Sequence, residues 1–146
     1  MADEARVSCQ LSIQKRSGTL LILDYSSRGG TFQADVVGEL GPTPGAFRVP
    51  VDGVDIDLTD LTTPGLCFMR NLDDTNTVEL GVFNTDQNEF YPLLAFLPCE
   101  GYVVRLNPNI NREYASTGTG TTSEVNTFRL KAENAPCNFL VEAFDS

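Results

Sequence analysis

The chain has no histidine and no tryptophan, and only ten Lys and Arg stand against twenty Asp and Glu. Without histidine, Ser–His and Cys–His nucleophile pairs cannot form, and the commonest general base and metal ligand are both missing. The formal net charge of −10 repels phosphate backbones and anionic lipid heads, which argues against nucleic-acid and membrane partners. Lys15 and Arg16 are adjacent, but Arg6, Arg28, Arg48, Arg70, Arg105, Arg112, Arg129 and Lys131 are scattered and form no basic stripe. No apolar run approaches the ~20 residues of a membrane span. The opening MADEARVSCQ has neither the basic leader nor the apolar centre of a signal peptide, so synthesis in a cytosol is expected. The four cysteines, Cys9, Cys67, Cys99 and Cys137, include no C-x-x-C pair and are far apart, which gives zinc no recognisable ligand spacing. They sit mostly in apolar segments, and in a reducing compartment they are expected to be buried free thiols acting as small hydrophobes.

At 146 residues with 41% apolar and 21% charged side chains, the chain has the length and composition of one globular domain. Size scaling has such a domain burying about 68% of the surface its unfolded chain exposes. Its main local signal is period-two alternation in short runs bounded by turn residues, the mark of half-buried strands. Val7, Cys9, Leu11 and Ile13 alternate with polar neighbours, and TLLILD follows as a continuous apolar run. Phe32 to Leu40 reads as a third extended piece. The breaker GPTPG, Gly41 to Gly45, reads as a tight loop within one domain spanning 1–146, with residues 1–45 able to include an N-terminal arm. Pro50 in AFRVPV marks a strand end or an edge, VDIDL alternates again, and a short helical turn is expected near Leu58 to Leu61.

Further on, Leu66 to Arg70 and Thr77 to Phe83 read as strands joined by the polar turn NLDDTN. Tyr91 to Leu97 and Tyr102 to Leu106 flank PCEG, a hairpin signal. Asn107 to Glu113 reads as a loop and Ser116 to Ser123 as a flexible small-residue stretch. Val125 to Lys131 and Asn138 to Phe144 close the chain as two strands. About ten short strands, turns of Gly and Pro, and no amphipathic helix predict an all-β fold, an antiparallel sandwich or barrel.

The search for chemistry returns little. Asp55 and Asp57 lie two apart on a strand and share a face, while Asp73 and Asp74 sit in a turn. Both sets read as solvated structure rather than an acid–base pair. VDGVDID is rich in oxygen donors but lacks the twelve-residue order and closing Glu of a calcium loop, so no metal and no cofactor is expected. Arg28-Gly29-Gly30 and STGTG lack the lysine of a phosphate-cradling loop. Phe68, Phe83, Phe90, Phe96, Phe128, Phe139 and Phe144 read as core. Tyr91, Tyr102 and Tyr114 each need a partner or water for a hydroxyl. A small-ligand or hydrolytic sandwich would require a concave pocket with convergent carboxylates.

The segment LTDLTTPGLCFMRNLDDTNTVELGVF, Leu58 to Phe83, resembles one in small virion structural proteins of tailed bacteriophages, where a TTPG turn leads into a strand and then a hairpin. YPLLAFLPCEGYVVRLN resembles their next hairpin, and FRLKAENAPCNFLVEAFDS their closing pair of strands. The resemblance covers roughly the last 60% of the chain and none of the first fifty residues. It implies a jelly-roll-like β-sandwich and a non-enzymatic function in the virion. That function is head decoration: a cement protein, made in the bacterial cytoplasm, that binds the major capsid protein on the outer capsid surface as a homotrimer. The alternative within the same particles is a tail or tail-tip module with a structural or receptor-binding role. No matching residue is catalytic. Asn71, Asp73 and Asn76 are read as turn formers and Gly81 as a residue that eases a tight backbone path, with Val78 and Leu80 packing inward.

Overall fold

The computed structural model describes residues 5–27, 29–36, 41–107, 114–115, 123–124 and 126–145. These residues form strands, turns and irregular connections, with no helix among them. The all-β, antiparallel reading therefore holds. The expected strand over Phe32 to Leu40 ends at Ala34, and 37–40, 108–113 and 116–122 lie outside the described residues. The chain divides into two compact units, 1–36 and 37–146.

The first unit is a two-stranded ribbon of nested pairs. β1 (Ala5–Cys9) pairs with β4 (Gly30–Ala34), and β2 (Ser12–Ser17) pairs with β3 (Leu20–Ser26). The alternation of Val7, Cys9, Leu11 and Ile13 is thus split between two strands. Ser27 donates its N–H to the Leu11 carbonyl and accepts the Leu11 N–H on its hydroxyl, closing the ribbon at the break. Gly18, at φ +60°, supplies the left-handed backbone at the tip. Val7 is buried opposite Phe32, but the other large apolar side chains of the ribbon are exposed. Alternation here predicts strands without predicting a core.

The second unit contains two four-stranded antiparallel sheets. One runs in the order β10 (Gly101–Arg105), β7 (Pro64–Asn71), β14 (Cys137–Asp145), β5 (Thr43–Val49). The other runs β6 (Val54–Asp55), β13 (Asn126–Ala132), β8 (Val78–Asn84), β9 (Glu89–Phe96). A two-residue pair, β11 (Tyr114–Ala115) with β12 (Ser123–Glu124), accompanies them. The inner faces of both sheets enter one cluster, with Val49, Cys67, Met69, Phe139 and Val141 from the first and Val78, Leu80, Phe96, Leu130 and Ala132 from the second. Phe96 and Phe139 meet edge to face across it, ring centroids 5.1 Å apart, which is the geometry that aromatic quadrupoles favour. The unit is a two-layer sandwich.

Its pairing is nested: β5 with β14, β6 with β13, β7 with β10, β8 with β9. Within the two four-stranded sheets, the described residues close one hairpin between sequential strands, β8 with β9 over residues 85–88. This corrects two expectations. NLDDTN and PCEG do not close hairpins; each carries the chain from one sheet to the other, from β7 to β8 and from β9 to β10. The two crossings are bonded to each other, and the second also turns on itself, Glu100 N–H donating to the Leu97 carbonyl. Cys99 N–H donates to the Asp73 carbonyl and Asn71 N–H to the Glu100 carbonyl. The expected helical turn is a single bonded turn, Leu61 N–H to Leu58 carbonyl, with no helix around it. GPTPG is not a free loop, because Thr43, Pro44 and Gly45 begin β5. They can do so because β5 is an edge strand, where a proline costs no ladder bond.

Candidate interaction surface

The residues singled out in the NLDDTN segment form one polar joint. The Asn71 side chain is fully buried. Its amide donates to the carbonyls of Asn76 (2.8 Å), Phe96 (3.0 Å) and Leu97 (3.3 Å), and its Oδ1 accepts the N–H of Asp73 at 3.0 Å. Asp73 in turn accepts the N–H groups of Thr75 and Asn76 and the Asn76 side-chain amide. These donors hold its carboxyl below the usual carboxylate range. Gly81 lies apart, in β8, where a Cβ would run into the Tyr91 carbonyl and come within 2.8 Å of the Phe90 ring. It permits the close β8–β9 approach at the register shift beside Leu80. Val78 and Leu80 are buried in the core. The joint ties two sheet crossings together and presents no group to a ligand.

The carboxylates expected on one face line a cleft of about 540 Å³, with Ile56, Thr59, Leu61, Asn107 and Phe128 among its walls. Both are already engaged. Asp55 accepts from Arg129 Nε at 2.6 Å and from Thr127 Oγ1 at 3.0 Å. Asp57 accepts the N–H and hydroxyl of Thr59, which lower its pKa. A carboxyl held low is a poor general acid near neutral pH. Among the described residues, no cluster of three or more Cys, Asp or Glu is arranged to hold a metal ion.

The cysteines divide, in contrast to the expectation that all are buried. Cys67 and Cys137 lie inside, and desolvation pushes the Cys67 thiol up to about 12. Cys9 ends a ribbon strand and Cys99 occupies a crossing turn at φ +66°, and both are exposed. The aromatic expectation holds for Phe96 and Phe139, which are fully buried, and for Phe128, which packs against the core. Phe83 and Phe90 lie on the outer side, under Arg129 and Lys131. Tyr91 donates to Glu89 and Gln87, and Tyr102 to Glu100. The side chain of Tyr114 lies outside the described residues.

The surface that stands out is the edge formed by β9 and β10. Leu94 registers with Leu80, and Tyr102 with Met69, both core residues, so these side chains face inward. They are nevertheless 45% and 42% exposed. The inner layer is open to solvent along this edge. On the outer faces, Leu93 is 65% exposed, and Val103 and Leu97 are also exposed. Leu72, on the neighbouring crossing, adds another exposed apolar side chain. The opposite side is better closed, with Val49 fully buried and Phe47 and Val54 packed against the core. Exposed apolar side chains gathered along edge strands are the kind of surface that other proteins cover.

Sequence reasoning missed this surface, although one signal for it was present. Pro92 interrupts the apolar run FYPLLAF, and a proline there marks an edge strand, whose apolar neighbours have no sheet beyond them. Comparison with protein-family models, with curated proteins and with solved structures found no match.

Proposed function

We propose that the chain is a non-enzymatic assembly module: a head decoration protein of a tailed-phage virion that clamps the outer capsid surface. The observation that carries this reading is the open apolar edge of β9 and β10 on an otherwise acidic sandwich. Such a surface gains from being covered by protein and is repelled by nucleic acid. The nested strand pairing supports a jelly-roll-like arrangement, an architecture used in capsid shells and lectins. Fold alone does not assign a function, and the virion is proposed from the resemblance that residues 58–83, 91–107 and 128–146 bear to virion structural proteins. The engaged carboxylates of the cleft fit a protein that binds rather than reacts.

In this reading the partner is the major capsid protein, and the decoration stands on the shell as a homotrimer with many copies over the head. Immunogold labelling of intact particles with an antibody to this chain tests it. Gold spread evenly over the head is the expected result. Gold confined to the tail overturns the head assignment in favour of a tail module, and particles that carry none of the protein by mass spectrometry overturn the virion reading.

A further inference from the structure

The N-terminal ribbon is apolar on both faces. Along β3, Leu23 and Tyr25 register with Lys15 and Ile13 on one face and Leu21 with Arg16 on the other, across a register shift at Ile22; with Leu20 and Ile22, all five apolar side chains are exposed, Leu20 at 69%. A continuous apolar strand of this kind is normally buried on both faces, and a lone two-stranded ribbon is at best marginally stable in water. With Leu11, Ile13 and Phe32, the ribbon exposes eight large apolar side chains, divided between its two faces.

Charge is divided just as unevenly. Residues 1–36 carry four basic and four acidic side chains, so the whole net charge of −10 belongs to residues 37–146, which carry six basic and sixteen acidic. Lys15 and Arg16, the adjacent basic pair, lie near the ribbon tip. The β9/β10 edge is flanked by exposed Asp86 and Glu89 at the start of β9 and by Asp74 and Glu100 at the other end. β3 has seven residues and β9 has eight, or about 23 and 26 Å at strand rise.

We propose that the β2–β3 hairpin of one copy docks on the open β9/β10 edge of a second copy, its leucines covering Leu93, Leu94 and Tyr102 and its basic tip meeting the flanking carboxylates. This supplies a contact for the oligomer proposed above. It rests on the ribbon and the edge, and its failure would leave the head-labelling test untouched.

Sedimentation velocity on the full chain between about 1 and about 100 µM reads the association. The wild type is expected to self-associate. Ile22→Asp and Leu93→Asp, both at exposed positions, are each expected to weaken association by about 100-fold or more, as for a carboxylate left unpaired in an apolar interface. Far-UV circular dichroism should stay unchanged. In a Cys9→Ser, Cys99→Ser background, mixing an Ile22→Cys chain with a Leu93→Cys chain should give an interchain disulfide under mild oxidation. A monomeric wild type, or an oligomer indifferent to both Asp variants, overturns the proposal. So does a doubly substituted chain that closes its disulfide only within itself.

Discussion

Replacing Asn71 with alanine tests how the two sheet crossings are held. The substitution strands the Phe96 carbonyl, which is buried, and removes the partner of the Asn76 carbonyl and of the Asp73 N–H. An unpaired buried polar group costs about 1–3 kcal/mol, and the partly buried ones cost less. A side-chain-sized gap adds to that beneath the crossings. The sum is about 3 kcal/mol, a large fraction of the 5–15 kcal/mol by which a domain is stable. With a urea slope of roughly 1.5 kcal/mol/M for a unit of this size, the unfolding midpoint should fall by about 2 M. Urea titration followed by circular dichroism reads the shift directly. Asn138→Ala, on an exposed residue of β14, serves as the control and should move stability by no more than about 0.5 kcal/mol. If Asn71→Ala loses less than about 1 kcal/mol, the joint is incidental and the crossings are held by apolar packing alone.

Gly81→Ala should separate β8 from β9, because the added methyl meets backbone, the Tyr91 carbonyl, rather than a side chain that could swing away. The expected loss is about 3 kcal/mol or more by thermal melting, whereas Gly30→Ala, with open space around the Cβ position, should be nearly neutral. pH should act in opposite directions on two native aspartates and on a carboxyl introduced by Asn71→Asp. The wild-type Asp57 and Asp73 carboxyls are lowered by hydrogen bonds from Thr59 and from Asn76 and Thr75. Their contribution is therefore fully present above the unfolded value of about 3.9 and is lost as pH falls through the lowered folded value. An Asn71→Asp carboxyl would face three carbonyls, which favour its protonated form and raise its folded pKa. That variant should be most stable in acid and lose stability as pH rises from the unfolded value through the folded one. Urea midpoints measured from pH 3 to pH 8 on wild type and variant should show the two trends crossing; parallel curves would contradict both assignments.

The amino-acid sequence by itself determined strand against helix. Alternation in β14, where Cys137, Phe139, Val141 and Ala143 are buried between less buried neighbours, is a local property of a pleated chain with one face on a core. It also determined where the chain turns, since Asn71, Asp73 and Asn76 bond their own neighbourhood within a few residues. What a turn connects was decided only by tertiary structure. NLDDTN and PCEG look like hairpin turns, yet they cross between sheets because the bonds of Asn71, Asp73 and Cys99 reach from one crossing to the other, more than twenty residues away. Burial was decided in the same way. Val7, Leu11 and Ile13 repeat like core residues but belong to a ribbon whose own strand pairs form a single layer, and one is buried and two are exposed. Likewise Leu94 and Tyr102 face inward and are still exposed, because β9 and β10 each end their sheet among the described residues. Periodicity records which way a side chain points; whether anything covers it depends on partners distant in sequence.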